Sequence, residues 1–245
     1  MDRKGILVVG IGPGTADGMT REAYQALSEC DVIVGYTVYV DLVKETFPGK
    51  EFLTTPMTRE VDRCVLAFSQ ARQGKLVAMI CSGDAGVYGM AGLIYQVGED
   101  YPDIEITVYP GVTAALGGAA VLGAPLIHDF CLISLSDLLT PWDKIEKRLL
   151  LASEADFAIV LYNPSSHKRK DYLQKACDLM LRHKSPETVC GIVSNIHREG
   201  ESARVLTLDQ LRTTSVDMFT TVFIGNSQTV NLHGKMVTPR GYKDV

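Results

Sequence analysis

No run of 18 apolar residues occurs in the sequence, so no transmembrane helix is expected. The start Met1-Asp2-Arg3-Lys4 leads straight into a strand-like segment, without the apolar stretch of a secretory leader. The six cysteines, at 30, 64, 81, 131, 177 and 190, form no C-x-x-C pair and most lie in apolar stretches, which reads as reduced core thiols in a cytoplasmic protein. The five histidines show no H-E-x-x-H or other paired ligand spacing, so no protein-held metal is expected. A G-x-S-x-G nucleophile elbow and a P-loop lysine are also missing. Neither internal repeats nor low-complexity tracts interrupt the chain.

What is present is close to a globular average: 245 residues, 46% hydrophobic, 22% charged, 7% aromatic, with a formal charge of -5. That balance excludes a disordered, collagen-like or strongly basic chain, and no nucleic acid or membrane partner is expected. The length fits one large or two modest domains. Charge is unevenly spread. Residues 1–120 carry nine basic and fifteen acidic groups, whereas residues 121–245 carry fifteen and fourteen, so an anionic ligand should lean on the second half.

Buried strand-like runs at 6–9, 31–35, 76–81 and 104–109 alternate with helical patterns at Ala23, Ala26, Leu27, Cys30 and at Val61, Cys64, Val65, Phe68. Such alternation predicts a parallel sheet covered by helices on both faces. A Gly/Ala-rich segment over 112–126 predicts a close-packed helix stopped by Pro125, with the domain boundary near residue 120. Further strands are expected at 130–135, 157–162, 189–193 and 219–224, and the short elements after Glu199 suit antiparallel strands. The expected architecture is α/β: two α/β/α domains, 1–120 on a parallel sheet and 121–245 on a mixed one.

In open α/β sheets ligands bind beyond the carboxyl ends of strands, so the residues after each run carry the chemistry. Gly10-Ile11-Gly12-Pro13-Gly14 resembles a dinucleotide loop but has Thr15 where the third glycine belongs, and Pro13 removes an amide. It reads equally as a tight turn needing glycine dihedrals. Asp84, within Ser82-Gly83-Asp84-Ala85-Gly86, either meets a ligand or caps a following helix. Pro110-Gly111-Val112-Thr113-Ala114 is either a Pro-Gly turn with a threonine cap or a third ligand loop. Later strand ends expose Ser134, Ser136 and Asp137, then Tyr162 and Asn163, then Ser194 and Asn195. The basic run His167-Lys168-Arg169-Lys170 is either a solvated helical turn or an anion site, since cations at a helix start call for compensation. His128-Asp129 precedes its strand and so lies at the other end of the sheet, which favours a structural role.

Taken together, and in this order and spacing, the loops at 10–14, 82–86 and 110–114 resemble the three N-terminal signatures of the tetrapyrrole methylases. Four further stretches resemble the branch acting on precorrin-3B or cobalt-precorrin-3 at C-17. They are Pro56-Met57-Thr58-Arg59-Glu60-Val61-Asp62-Arg63, Ser134-Leu135-Ser136-Asp137-Leu138-Leu139-Thr140-Pro141-Trp142, Tyr162-Asn163-Pro164-Ser165-Ser166-His167-Lys168-Arg169 and Thr238-Pro239-Arg240-Gly241-Tyr242. Ala85 departs from the family's commoner Gly-Asp-Pro. The resemblance implies two α/β domains with the active site in the cleft between them, S-adenosylmethionine as methyl donor with S-adenosylhomocysteine as product, and a cytoplasmic homodimer. It implies methylation of a polycarboxylate tetrapyrrole at C-17 with ring contraction, in cobalamin synthesis.

Carried over by motif, the donor contacts are Pro13, Ser82, Gly83, Asp84, Val87, Thr113 and Ala114, then Asn163, Asn195, Ile196, Thr221 and Val222. Substrate carboxylates call for cationic and polar partners, for which Arg59, Arg63, Ser136, Lys168, Arg169 and Arg240 are the candidates. Asp137 is the candidate acid or base; its alternative is an N-cap for the helix beginning near Trp142. Two other readings stay open: a relative methylating a diphthine precursor or ribosomal RNA, and a non-catalytic module binding donor or tetrapyrrole.

Overall fold

The computed structural model describes residues 4–166 and 170–242, and the chain divides into two compact units, Met1–Ala114 and Ala115–Val245. The first unit is built on β1 (Gly5–Gly10), β2 (Val32–Tyr36), β3 (Glu51–Thr55), β4 (Leu76–Cys81) and β5 (Glu105–Tyr109). They pair in the order β3-β2-β4-β1-β5, all parallel. Four helices, α1 (Arg21–Glu29), α2 (Thr37–Val43), α3 (Glu60–Ala71) and α4 (Ala91–Gly98), supply the cover.

The alternation of β1 explains the layering. Ile6 and Val8 join Cys64, Phe68 and Ile94 in one core, while Leu7 and Val9 join Ala23, Leu27, Val40 and Val43 in another. Every residue of β1 is buried, as expected for a central parallel strand covered on both faces. Thr20 starts α1 by accepting from the Ala23 amide at 3.1 Å, and α1 buries the Ala23, Ala26, Leu27 stripe. The stripe of α3 is rotated from the sequence expectation. Arg63, Cys64, Ala67, Phe68 and Ala71 are buried, whereas Val61 and Val65 are exposed, because the run from Cys64 at i, i+3, i+4, i+7 is the wider apolar face.

The second unit opens with α5 (Ala114–Leu122), whose last eight residues belong to it, so the boundary expected at residue 120 falls inside this helix. Its small residues are packing devices: a Cβ on Gly118 would stand 2.8 Å from the Phe223 ring. The helix ends at β6 (Gly123–Ala124), where Gly123 takes φ 134°, ahead of Pro125. Then come β7 (Phe130–Ser134), α6 (Trp142–Glu154), β8 (Ala158–Tyr162), α7 (Tyr172–Met180), β9 (Val189–Ser194) and β10 (Ser202–Thr207). They are followed by α8 (Leu208–Arg212), β11 (Thr220–Ile224), β12 (Val230–Leu232) and β13 (Lys235–Val237).

The main sheet of this unit runs β10-β9-β11-β8-β7. Only the β7–β8 pairing is parallel; β11 is antiparallel to β8 and β9, and β10 to β9. A small sheet β12-β13-β6 lies beside it in the order of pairing. The α/β class is therefore confirmed, with a parallel sheet first and a mixed sheet second. The antiparallel β11 has a functional consequence: its amino end, not its carboxyl end, lies at the rim where β8 and β9 finish.

At the opposite end of β8 a lysine is buried. The Lys184 ammonium donates to the Phe157 and Gly225 carbonyls at 3.0 Å each and lies 3.6 Å from Asp156. Burial pulls its pKa below the ordinary lysine value, against the pull of Asp156.

Candidate functional site

β1 and β4 are neighbours, yet their connections run to opposite faces of the sheet: β1 leads to α1 in one core, β4 to α4 in the other. This is a topological switch point, the place where open α/β sheets bind ligands. The loops leaving β1, β4 and β5 interlock there through bare backbone. Gly12 and Gly83 exchange two backbone hydrogen bonds, at 3.0 and 2.8 Å. A Cβ on Gly111 would stand 2.1 Å from the Gly83 carbonyl oxygen, and one on Gly10 would stand 2.7 Å from the Gly111 nitrogen. No side chain fits between these strands' ends, so the three loops meet as peptide groups.

Asp84 locks the arrangement. Its Oδ1 accepts from the Gly86 and Val87 amides at 2.8 and 2.9 Å, and its Oδ2 accepts from the Gly111 amide at 2.9 Å. Neither sequence alternative describes it fully. The carboxylate does not cap α4, whose N-cap is Met90, and its charge is directed into the loops. Ala85, where the family more often has proline, is fully buried, and its carbonyl accepts from the Ala91 amide at 3.1 Å. Thr20 ties in the third loop by donating to the Pro110 carbonyl at 3.1 Å. Burial pushes the Cys81 thiol up to about 11, so this cysteine at the end of β4 is a neutral core group and no nucleophile.

Among the other candidates in this unit, Pro13 and Gly83 are buried, Ser82, Val87, Thr113 and Ala114 are half-buried, and all lie in or beside the interlocked loops. Arg59 is exposed and pairs with Asp62 at 3.1 Å. Arg63 requires correction as a substrate contact. It is 5% exposed, and its guanidinium donates to Thr55 at 2.8 Å and to the Pro56 carbonyl at 3.1 Å, so it fastens the β3–α3 connection.

The rim of the second sheet is organised differently, by side chains. The Leu135 amide donates to the Tyr162 carbonyl at 2.9 Å, and Asn163, at φ 52°, donates to Ser134 Oγ at 3.0 Å. Ser136 donates its amide to the same oxygen at 3.2 Å. The Tyr162 hydroxyl accepts from the Ala115 amide at 2.8 Å. At the next strand end, Thr220 Oγ1 donates to Asp217 at 2.8 Å, which leaves Ser194 Oγ to donate to Thr220 at 2.7 Å. Asn195 follows at φ 52°, and Ile196 packs 3.1 Å from where a Gly118 Cβ would be.

Thr221 is 6% exposed. Val222 is completely buried in the core formed with α6, α7 and α8, so only its backbone is available to a donor. Asp137 accepts from the Tyr172 hydroxyl at 2.6 Å, and the N-cap of α6 is Pro141. Lys168 and Arg169 lie outside the described residues. Arg240 is exposed and follows a pinned segment: Thr238 donates to the Pro125 carbonyl at 2.8 Å, and His128 Nε2 lies 3.0 Å from the Pro239 carbonyl. That contact gives His128 its structural role.

Sequence reasoning missed two parts of this rim. The amino end of β11, with Phe219 and Thr220, went unread: antiparallel strands suited the elements after Glu199, but nothing local marks which end of β11 meets the rim. Tyr172 is 35 residues from Asp137, and nothing local ties a helix-start tyrosine to a distant carboxylate.

Residues 5–212 match the family described as Tetrapyrrole (Corrin/Porphyrin) Methylases. The chain belongs to the tetrapyrrole methylases. It is a methyltransferase, of a family that takes its methyl group from S-adenosylmethionine. This methylase is 48% identical over 236 residues to a protein of Salmonella typhimurium named "Probable cobalt-factor III C(17)-methyltransferase", covering 96% of this chain and 98% of that one. It is 43% identical to the "Cobalt-factor III methyltransferase" of Priestia megaterium, covering 97% of this chain but 45% of that longer protein. The crystal structure of the methyltransferase CobJ is 34% identical, with a TM-score of 0.88, over 96% of this chain and 99% of that one. Among the described residues no helix is long and apolar enough to cross a membrane.

Proposed function

We propose that this methylase transfers a methyl group from S-adenosylmethionine to C-17 of cobalt-factor III, or of its precorrin-3B counterpart, with contraction of the macrocycle on the way to cobalamin. The names of the relatives support the substrate and the position. The observation that carries donor binding is the glycine interlock of Gly10, Gly83 and Gly111, where peptide groups meet with no intervening side chain. The donor combines an adenosine, a zwitterionic amino acid and a sulfonium, and such a ligand suits backbone amides and carbonyls with short polar groups. Pro13, Ser82, Gly83, Asp84, Val87, Thr113 and Ala114, in or beside the interlocked loops of the first unit, fit it; the family resemblance adds Asn163, Asn195, Ile196, Thr221 and Val222 as candidates in the second unit.

When bound, the donor supplies an electrophilic methyl group on sulfur. The chain's own residues hold the reactants in line, from which most of the rate can come. No protein nucleophile is needed. Asp137 accepts or returns the proton displaced as the macrocycle rearranges. Ser136, Arg59 and Arg240, with Lys168 and Arg169 outside the described residues, receive the substrate's carboxylates. The early-cobalt substrate is favoured because the relatives at 48% and 43% identity are both named for cobalt-factor III. The working form is a cytoplasmic homodimer, which rests on the family resemblance and is checked by light scattering at assay concentration.

The deciding experiment incubates the protein with S-adenosylmethionine and either cobalt-factor III or precorrin-3B, followed by mass analysis. A tetrapyrrole carrying one further methyl group supports the proposal, and the faster substrate identifies the route. Donor and tetrapyrrole binding without product would reduce the protein to a binding module.

A further inference from the structure

The carboxylate of Asp137 sits in the connection between β7 and α6, and this connection ends without using it: α6 begins at Trp142 with Pro141 as N-cap and no side-chain cap. The same connection leaves Leu138 and Leu139 exposed at 70% and 98%, while Asp137 itself is half-buried. One hold on it comes from another helix. Tyr172, the first residue of α7, donates its hydroxyl to Asp137 Oδ2 at 2.6 Å, within the range of a charge-assisted bond.

Tyr172 is itself gripped on both sides. Its ring packs against Trp142 with centroids 4.5 Å apart, and the Lys175 ammonium lies 5.1 Å from the ring centroid. Lys175 is in turn held by Asp171 at 2.7 Å, and that hydrogen bond keeps its ammonium above the ordinary lysine pKa. A ring fixed by an indole and an ammonium presents its hydroxyl in one direction. That hydroxyl sets an orientation for the Asp137 carboxylate.

We propose that Tyr172 is the positioning residue of Asp137, aligning the carboxylate that handles the proton during methyl transfer and ring contraction. The inference rests on the reading of Asp137 given above. In this role Tyr172 acts through the aspartate, and its ring contacts with Trp142 and Lys175 give it the rigidity to do so.

The test is a double-mutant cycle of Tyr172→Phe and Asp137→Asn with cobalt-factor III and S-adenosylmethionine. The phenylalanine keeps the ring against Trp142 and removes only the hydroxyl. Tyr172→Phe is expected to lower kcat about tenfold or more, with KM for the tetrapyrrole within about twofold, because misalignment costs rate rather than affinity. In the Asp137→Asn background the same change should cost nothing further. A kcat loss of equal size in both backgrounds, or a rise in KM with kcat unchanged, would overturn the proposal. Asp137→Asn at full kcat overturns the proton-handling reading and the positioning with it; a slow Asp137→Asn beside a Tyr172→Phe at wild-type rate overturns the positioning alone. The cycle is run well below the melting midpoint of every variant, so its coupling is read independently of stability.

Discussion

The two strand-end rims of this methylase solve the same problem with different materials. In the first unit, glycine backbone meets glycine backbone at Gly10, Gly12, Gly83 and Gly111, and the Asp84 carboxylate binds three amides of the loops themselves. In the second, hydroxyls and carboxylates link side chain to side chain: Asn163 to Ser134, Ser194 to Thr220 to Asp217, Tyr172 to Asp137. A backbone interlock leaves almost no sequence freedom and suits a ligand that never changes. A side-chain network can be altered one residue at a time, which suits a substrate that differs between branches of a family.

The largest effect should come from breaking the backbone rim. Gly111→Ala places a methyl group 2.1 Å from a carbonyl oxygen with no flexible side chain to yield. It is expected to cost about 3 kcal/mol or more of stability and to abolish measurable donor binding, checked by thermal unfolding and calorimetry. Next, Asp84→Ala orphans three amides, with an expected cost of about 2–3 kcal/mol and a donor affinity at least about tenfold weaker. Tetrapyrrole affinity should stay within about twofold in this variant; an equal loss for both ligands would erase the contrast between the rims.

Lys184→Ala provides a control remote from both rims. It removes the donor to two carbonyls and the partner of Asp156, which should cost about 2 kcal/mol by chemical unfolding and leave kcat/KM unaltered at temperatures where the variant is folded. Arg240→Ala sharpens the side-chain half of the comparison. Tetrapyrrole KM should rise several-fold, less so at high salt, with donor affinity constant. The smallest contrast is shared by both units. Burial pushes Cys64 and Cys177 up to about 12 and Cys30, Cys81 and Cys131 to about 11. The folded state therefore keeps protons that the unfolded chain releases above pH 9, so this stability is whole below pH 9 and declines as pH rises toward 11 to 12. Melting midpoints across that window, with thiol titration showing slow modification until unfolding, check it.

Much of the fold was legible because parallel strands and their helices mark the sequence locally. The run at residues 6–9 announces a central strand by being apolar at every position, and the Ala23, Ala26, Leu27 spacing announces the helix after it. The loops at residues 10–14, 82–86 and 110–114 stood out by their glycines, and the tight contacts at Gly10, Gly12 and Gly111 give the physical reason for those glycines. What escaped was set by distant partners. Arg63 reads as an exposed cation until Thr55 and the Pro56 carbonyl are found around it. Asp84 shows the intermediate case: it stood out in the sequence, but its three amide partners belong to two loops, and one of them, Gly111, lies 27 residues away.

The central claim, that the donor is held by interlocked backbone and the tetrapyrrole by side chains, is tested most directly by measuring both affinities in one variant. Calorimetric titration of Asp84→Ala with S-adenosylhomocysteine and, separately, with cobalt-factor III should show donor affinity falling about tenfold or more while tetrapyrrole affinity moves by less than about twofold. Donor affinity equal to wild type, or a matching loss for the tetrapyrrole, would contradict the account.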